Sequence, residues 1–384
     1  MIRNKDILLF ASNSYAGMGP YVVSIVNSFE PDDNVFFFLV ENSEGYFKNN
    51  VKPELLRKCH IESGYSSKLK SLADLVFNLG YPYSKRLIDY INSNDINTIH
   101  CLTAPHDFKL IKQLLAANIK VLYTVHDLEP HEANKAFYKV WRQNILYRRI
   151  YKCMDIVPAF ITNGRNQFHT LRGRYQNKLT FFGKFPTLIT HKIADGKIEP
   201  PELKGEKDYI LFFGRMEEYK GVELLVEAYL KSSIRKKCKL VIAGKGEINT
   251  ETNHPDIICI NRYIDDDEVA PLYQNAALVV YPYISATQSG VLSVASYFKK
   301  PMIVSDVPFF IETIGDSRCC KIFHKSSISS LTSALDFFDF NEISSMSKAS
   351  EELYNNQYAS SMLRDELMQI YDELDYFYPI KLTN

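Results

Sequence analysis

The sequence predicts an α/β protein built from two doubly wound domains with mainly parallel sheets, and three observations carry that expectation. The chain has 384 residues, more than one compact core usually holds. Short runs rich in β-branched and aromatic residues alternate with longer amphipathic stretches, the pattern of βα units. That series runs twice and is interrupted once, by a stretch rich in Pro, Gly and charge.

In the first series, strands are expected over residues 7–10, 35–40, 98–102, 121–125 and 156–161, with helices over 21–29, 83–92 and 108–117. The interruption reads TLITHKIADGKIEPPELKGEK over 187–207 and has neither helical nor strand periodicity. The second series predicts strands over 209–213, 239–243, 257–260, 278–281 and 302–305, with helices over 222–230, 266–273 and 291–298. The tail over 344–377 is predicted helical from Leu353, Met362, Leu367, Ile370, Tyr371 and Leu374. These signals give a first domain at 1–190, a linker at 191–207, a second domain at 208–345 and a helical tail at 346–384 that could cap either domain, packing back on the first being one arrangement.

Composition sets outer limits on function. With 46% apolar and 23% charged residues, the chain reads as a folded globular protein, neither disordered nor fibrous. Seven cysteines (Cys59, Cys101, Cys153, Cys238, Cys259, Cys319 and Cys320) are scattered without a C-x-x-C pair, which fits reduced thiols in the cytoplasm. The apolar run at 7–11 is shorter than a secretory signal needs. No stretch approaches the ~20 apolar residues of a membrane span.

Net charge is zero, yet residues 1–200 carry 26 Lys and Arg against 18 Asp and Glu, while 201–384 carry 19 against 27. A first half facing an anionic partner explains this, as does scattered solvated charge. The segment KVWRQNILYRRIYK over 139–152 is a basic helix carrying Trp141, Ile145, Leu146 and Ile150. It suits peripheral contact with an anionic membrane, or a packed helix with a solvated basic face. Nucleic acid is not expected as a partner, because no helix-turn-helix or zinc-finger spacing accompanies the neutral total.

The chemistry-bearing motifs follow predicted strands, where open α/β sheets bind ligands and helix N-termini meet anions. FFGRMEEYKG sets Gly214 and Arg215 after one strand and Lys220 and Gly221 before the next helix. Two cations held there would stabilise the negative charge growing on a departing phosphate; the alternative is a pair of solvated surface cations. AGKGE over 243–247 marks a second strand-to-turn junction. In VVYPYISATQSGVLSVASYFKKPMIVSD a strand ends near Pro282, a small polar loop follows, and Gly290 opens a helix. No G-x-G-x-x-G fingerprint follows the first strand.

The run over 212–312 resembles the donor-binding domain of family 4 glycosyltransferases, enzymes of the GT-B fold. Strand-GR, KG, a loop whose glycine starts a helix, and a Pro-led strand appear in that family's order and spacing. The resemblance implies two facing Rossmann-like domains and a nucleotide-sugar donor held by Arg215, Lys220, Thr287, Gln288, Ser289 and Gly290. The family also carries two glutamates eight positions apart, and here those positions read Thr287 and Ala295. The wording SATQSG resembles a variant branch of the family, in which hydroxyl, amide and backbone groups would replace the carboxylates. Base contacts are expected at Arg262 and Tyr263, the latter equally readable as core.

In the first half, NSYAGMGPYV resembles the family's glycine-rich loop through Gly17 and Gly19; a plain tight turn is the other reading. TVHDLEPHE places His126 and Asp127 after a strand, where the resemblance sets a histidine against the transferred sugar. A zinc site using His126 and His131 is not expected, because their spacing lies in a Pro-containing loop. Asp265, Asp266 and Asp267 read as a helix start. The family's members are retaining and generally need no bound metal, so no cofactor is expected.

The implied function is transfer from a nucleotide sugar to a lipid-linked or oligosaccharide acceptor in surface polysaccharide synthesis, at the inner face of the plasma membrane. A non-catalytic nucleotide-sugar-binding partner and another GT-B enzyme, such as an epimerase, are the alternatives.

Overall fold

The apolar runs become the strands of two sheets. The computed structural model describes residues 6–15, 17–42, 44–129, 137–286 and 288–381, except the side chains of 68, 137–139 and 379–381. The chain forms two units, Met1–Pro186 with Ser360–Asn384, and Thr187–Ala359.

The first unit holds seven strands: β1 Ile7–Ala11, β2 Val35–Glu41, β3 Cys59–Ser63, β4 Thr98–Cys101, β5 Lys120–Thr124, β6 Ala159–Thr162 and β7 Leu179–Phe182. Their order is β3-β2-β1-β4-β5-β6-β7 and every pairing is parallel. The second unit holds β8 Tyr209–Phe213, β9 Leu240–Gly244, β10 Ile257–Asn261, β11 Ala276–Tyr281, β12 Met302–Ser305 and β13 Cys320–Phe323. Its order is β10-β9-β8-β11-β12-β13, again all parallel. Central strands such as ILLFA and YILFF are buried because helices cover both faces of a parallel sheet.

β3, β7 and β13, all sheet edges, were not expected from sequence. CHIES, LTFF and CKIF are half-exposed and lack the continuous apolar run that identifies a central strand.

The stretch expected as a linker belongs to the second unit. Residues 191–195 form a short helix, His191–Asp195, capped by Thr190. The Ile198 N–H donates to the Asp267 carbonyl (3.1 Å), and Gly196 sits so close to that carbonyl that a Cβ would lie 2.4 Å from it. Helix Asp266–Gln274 opens with the capping box of Asp265 and Glu268, the role the acidic run suggested.

The tail splits at Tyr358. Helix Ile343–Gln357 stays with the second unit, whereas helix Ser360–Lys381 belongs to the first. In the latter, Leu363, Leu367, Ile370, Tyr371 and Leu374 are buried, the spacing of one helical face. Arg364 forks onto Asp33, Lys120 pairs with Asp375, and Glu366 accepts from the Lys184 N–H (2.8 Å).

One buried contact of this helix makes the first unit acid-sensitive. His100 on β4 bridges Tyr371 Oη and Thr124 Oγ1, both at 2.8 Å. Burial, assisted by nearby His126, pushes its pKa down to about 3. Below pH ~6.5 the unfolded chain takes up a proton that folded His100 refuses. Its contribution is therefore whole above that pH and is lost as pH falls toward 3, by about 2 kcal/mol at pH 5. Thermal melts at pH 7.5 and 5.0 are expected to show a smaller drop for His100→Gln than for wild type.

Candidate functional site

In the second sheet the strand sequence reverses direction between β8 and β11, and ligands of open α/β sheets bind beyond the strand ends at such a point. Three turns converge there. At the end of β8 the Gly214 N–H donates to Ala243 O and the Met216 N–H to Lys245 O, both at 3.0 Å. The turn after β9 runs directly alongside: a Cβ on Gly244 would lie 1.9 Å from Gly214 O, and Gly244 has φ +149°. Asn261 closes this pairing, its Nδ2 donating to Gly246 O (3.0 Å) and its Oδ1 accepting from the Gly246 N–H (3.2 Å).

The third turn leads from β11 into helix Val291–Tyr297, which Gly290 caps. It is tied to the first through the Ile284 N–H, which donates to Tyr219 O (2.7 Å). Gly221, at φ +67°, faces Pro282 O, which a Cβ would approach to 2.1 Å. The glycine after Lys220 thus lets the 3-10 turn Glu218–Lys220 press against the loop that follows β11.

Lys220 is the centre of this arrangement. It is only 8% exposed, and its Nζ donates to Tyr283 Oη (3.0 Å) while lying 5.0 Å from that ring's centroid. Tyr283 is itself fixed by Phe310, 5.0 Å away between ring centroids, and by Ser305 Oγ, which donates to the Tyr283 carbonyl (2.6 Å). Among the described residues no carboxylate forms an ion pair with Lys220. A buried ammonium without a counter-charge is costly unless an anion completes it.

The other expected donor residues fall differently. Arg215 is exposed, 57% for its side chain, and its Nη1 pairs with Glu217 at 2.7 Å. An anion would have to draw it away from that partner. Gln288 and Ser289 lie half-buried in the loop before Gly290; Thr287 lies outside the described residues. Ala295 is fully buried in helix Val291–Tyr297, packed where the resemblance sets a carboxylate.

Arg262, expected at a base, is held by two carboxylates. It forks onto Glu202 (2.8 and 3.0 Å) and Glu268 (both 2.7 Å), and these carboxylates raise its pKa further. Its donors brace the 191–207 segment to helix Asp266–Gln274, so a base at this turn would have to compete with two carboxylates for them. Neighbouring Tyr263 is 64% exposed and is not core.

In the first sheet the reversal lies between β1 and β4. Ser12, after β1, is joined to Thr103, after β4, by its N–H (2.7 Å) and its hydroxyl (2.8 Å). His126 follows β5. Its Nε2 meets the Leu102 carbonyl at 2.7 Å, which makes Nε2 the protonated nitrogen and puts the lone pair on Nδ1. Burial holds its pKa below the usual histidine range, so the ring is neutral at neutral pH. Tyr21 packs edge-on at 4.8 Å.

Gln167 carries the backbone under this histidine and was missed from sequence. Its Nε2 donates to Val125 O (2.8 Å), Thr162 Oγ1 (2.6 Å) and His126 O (3.2 Å), and its Oε1 accepts from the Leu128 N–H (2.9 Å). Asp127 is half-buried beside His126; His131 and Glu132 lie outside the described residues. Gly17 is exposed with open space around it. Gly19 sits in the first turn of helix Met18–Val26, where a Cβ would strike the Tyr46 ring at 2.7 Å. Packing against Tyr46 is one reason for a glycine there. All seven cysteines are free thiols, and among the described residues no three His, Cys, Asp or Glu side chains gather to hold a metal.

Residues 207–336 match the family described as Glycosyl transferases group 1. An uncharacterised glycosyltransferase of Methanocaldococcus jannaschii is 29% identical over 122 residues, a stretch spanning 29% of this chain and 30% of that relative. Among solved structures, sucrose-phosphate synthase from Thermosynechococcus elongatus superposes with a TM-score of 0.71 at 14% identity, covering 97% of this chain and 100% of the other. The Anabaena protein HepE, in complex with UDP and glucose, gives 0.66 at 13% identity, covering 96% and 100%. The fold is GT-B: two Rossmann-like parallel-sheet units with a helical C-terminus.

Proposed function

We propose that the protein is a retaining glycosyltransferase that moves a sugar from a nucleotide-sugar donor to a lipid-linked or oligosaccharide acceptor in the synthesis of a cell-surface polysaccharide. The observation that carries the reading is Lys220, a buried ammonium with no carboxylate partner among the described residues, at the strand reversal of the segment that matches a glycosyltransferase family. HepE, a neighbour in fold, forms a complex with UDP and glucose, which makes UDP the first nucleotide to test.

In the proposed reaction the bond from the sugar's anomeric carbon to the diphosphate oxygen loosens first. Lys220 holds the departing diphosphate, and Arg215 leaves Glu217 to join it. N–H groups of the loop that ends at Gly290 complete the anion's shell, and Tyr263 offers a face to the base. The acceptor hydroxyl attacks from the side the diphosphate leaves, and its proton passes to a donor phosphate oxygen. His126, neutral and oriented by Leu102, serves the transferred sugar, with Asp127 beside it. No protein nucleophile and no metal takes part. The enzyme works in the cytoplasm at the inner face of the membrane, touching it through 139–152.

A panel of nucleotide sugars, assayed for donor cleavage with and without oligosaccharide acceptors and in EDTA, tests this. One donor is expected to be consumed with retention of anomeric configuration and with EDTA without effect. Tight nucleotide binding without turnover would instead support the non-catalytic partner, which the buried Ala295 favours. An epimerised product would replace the transferase reading altogether.

A further inference from the structure

An apolar stripe faces outward on the first unit, next to the basic helix. Helix Lys68–Phe77 starts from a Ser67 cap and ends at Asn78 in the left-handed conformation. Its inner face carries Asp74 and Leu75, both buried. On the opposite face Leu69 is 78% exposed and Phe77 73%, joined by Val76 and by Leu79 just beyond the helix at 65%. Leu69, Ala73, Val76 and Phe77 follow the i, i+4, i+7, i+8 spacing of one helical face. Such a face normally turns inward; here it turns outward.

Asp74 fixes it in that orientation. The carboxylate accepts from Tyr65 Oη (2.6 Å) and the Gly80 N–H (2.8 Å), and pairs with Arg149 Nη1 (3.5 Å). Arg149 also donates to Asn78 Oδ1. It belongs to helix Phe137–Ile156, so the two helices are joined side by side. In that second helix Ile150, Cys153 and Met154 point inward, while Trp141, Arg148 and Lys152 fall on the outward stripe, with Trp141 45% exposed. Lys70, Arg142, Arg148 and Lys152 are exposed, and none forms an ion pair among the described residues.

We infer that Leu69, Val76, Phe77 and Leu79, flanked by Lys70, Arg142, Arg148 and Lys152, form a surface that inserts into an anionic lipid bilayer. Apolar side chains directed into water and bordered by unpaired cations match the two layers of such a membrane, acyl chain beneath phosphate. A protein partner with an acidic rim is the competing occupant. The excess of cations over acids in residues 1–200 favours the bilayer, an extended anionic surface, through long-range attraction. The inference extends the membrane contact proposed for 139–152 by naming the part that penetrates, and it does not depend on the transfer chemistry.

Trp141 is the chain's only tryptophan and reports the encounter directly. Vesicles of phosphatidylglycerol with phosphatidylcholine are expected to sediment the full chain and shift Trp141 emission to the blue, whereas phosphatidylcholine alone does neither. The triple variant Leu69→Ser, Phe77→Ser, Leu79→Ser is expected to bind anionic vesicles at least about 30-fold more weakly. All three side chains are exposed, and an unchanged melting temperature would verify the fold. Arg142→Gln, Arg148→Gln and Lys152→Gln each weaken binding about fivefold.

Loss of vesicle binding in the cation variants alone, with the serine variant binding normally, would overturn insertion. So would absence of vesicle binding together with a wild-type dimer that the serine substitutions dissociate. UDP titration in parallel separates this inference from the transferase reading. Vesicle binding without binding of UDP or of any other nucleoside diphosphate in a panel supports the surface and removes the transferase, and nucleotide binding without vesicle binding does the opposite.

Discussion

Lys220→Met is expected to weaken nucleoside-diphosphate binding by about 30- to 1000-fold, corresponding to about 2–4 kcal/mol for a charge-assisted contact in a buried site. The same change is expected to leave the unliganded protein as stable as wild type or more so. Both effects follow from one observation: the ammonium is 8% exposed and, among the described residues, has only Tyr283 Oη as a hydrogen-bond partner and two aromatic rings beside it. Desolvating a charge costs several kcal/mol unless an opposite charge offsets it. A methionine of similar length fills the space without that cost. Titration calorimetry with UDP, paired with thermal melts of the free protein, reads the two effects separately. A purely structural lysine would show the reverse, a fall in stability with affinity intact.

Gly244→Ala is expected to destabilise the second unit by upwards of about 3 kcal/mol, enough to prevent its folding in many backgrounds. The methyl group would meet Gly214 O at 1.9 Å, backbone against backbone, and the residue's φ of +149° is one that side chains rarely tolerate. No side-chain rotation relieves such an overlap. The turns after β8 and β9 would have to separate, breaking the Gly214 to Ala243 and Met216 to Lys245 hydrogen bonds. Urea denaturation followed by far-UV circular dichroism measures the loss. Gly17→Ala, where a Cβ meets nothing within 4 Å, serves as the control and is expected to change stability by less than about 1 kcal/mol.

Much of this architecture was legible in the sequence because parallel strands buried on both faces announce themselves as apolar runs. YILFF and ILLFA were found in place; CHIES, LTFF and CKIF were not, since an edge strand needs only one covered flank. The glycines following β8 and β9 were readable as turn residues, although which backbone pressed on them was not.

Lys220 was legible through the Lys-Gly step before a helix. The pairing of Arg262 was not legible because its partner Glu202 lies 60 residues away, and no local pattern reports such a contact. Gln167 escaped for the same reason: an amide side chain that holds a distant loop is chemically identical in sequence to a solvated one. The only available hint was a glutamine in the first turn of the helix following β6, a place where polar side chains reach the neighbouring strand end. Gly19 shows a role that local sequence does not report, since a Cβ there would strike the Tyr46 ring.

A crystal structure of the protein soaked with UDP tests the central claim most directly. The diphosphate is expected within hydrogen-bonding distance of Lys220 Nζ and of the backbone N–H groups leading into helix Val291–Tyr297, with Arg215 turned from Glu217 toward it. A diphosphate bound elsewhere, with Lys220 still donating only to Tyr283, would contradict that claim.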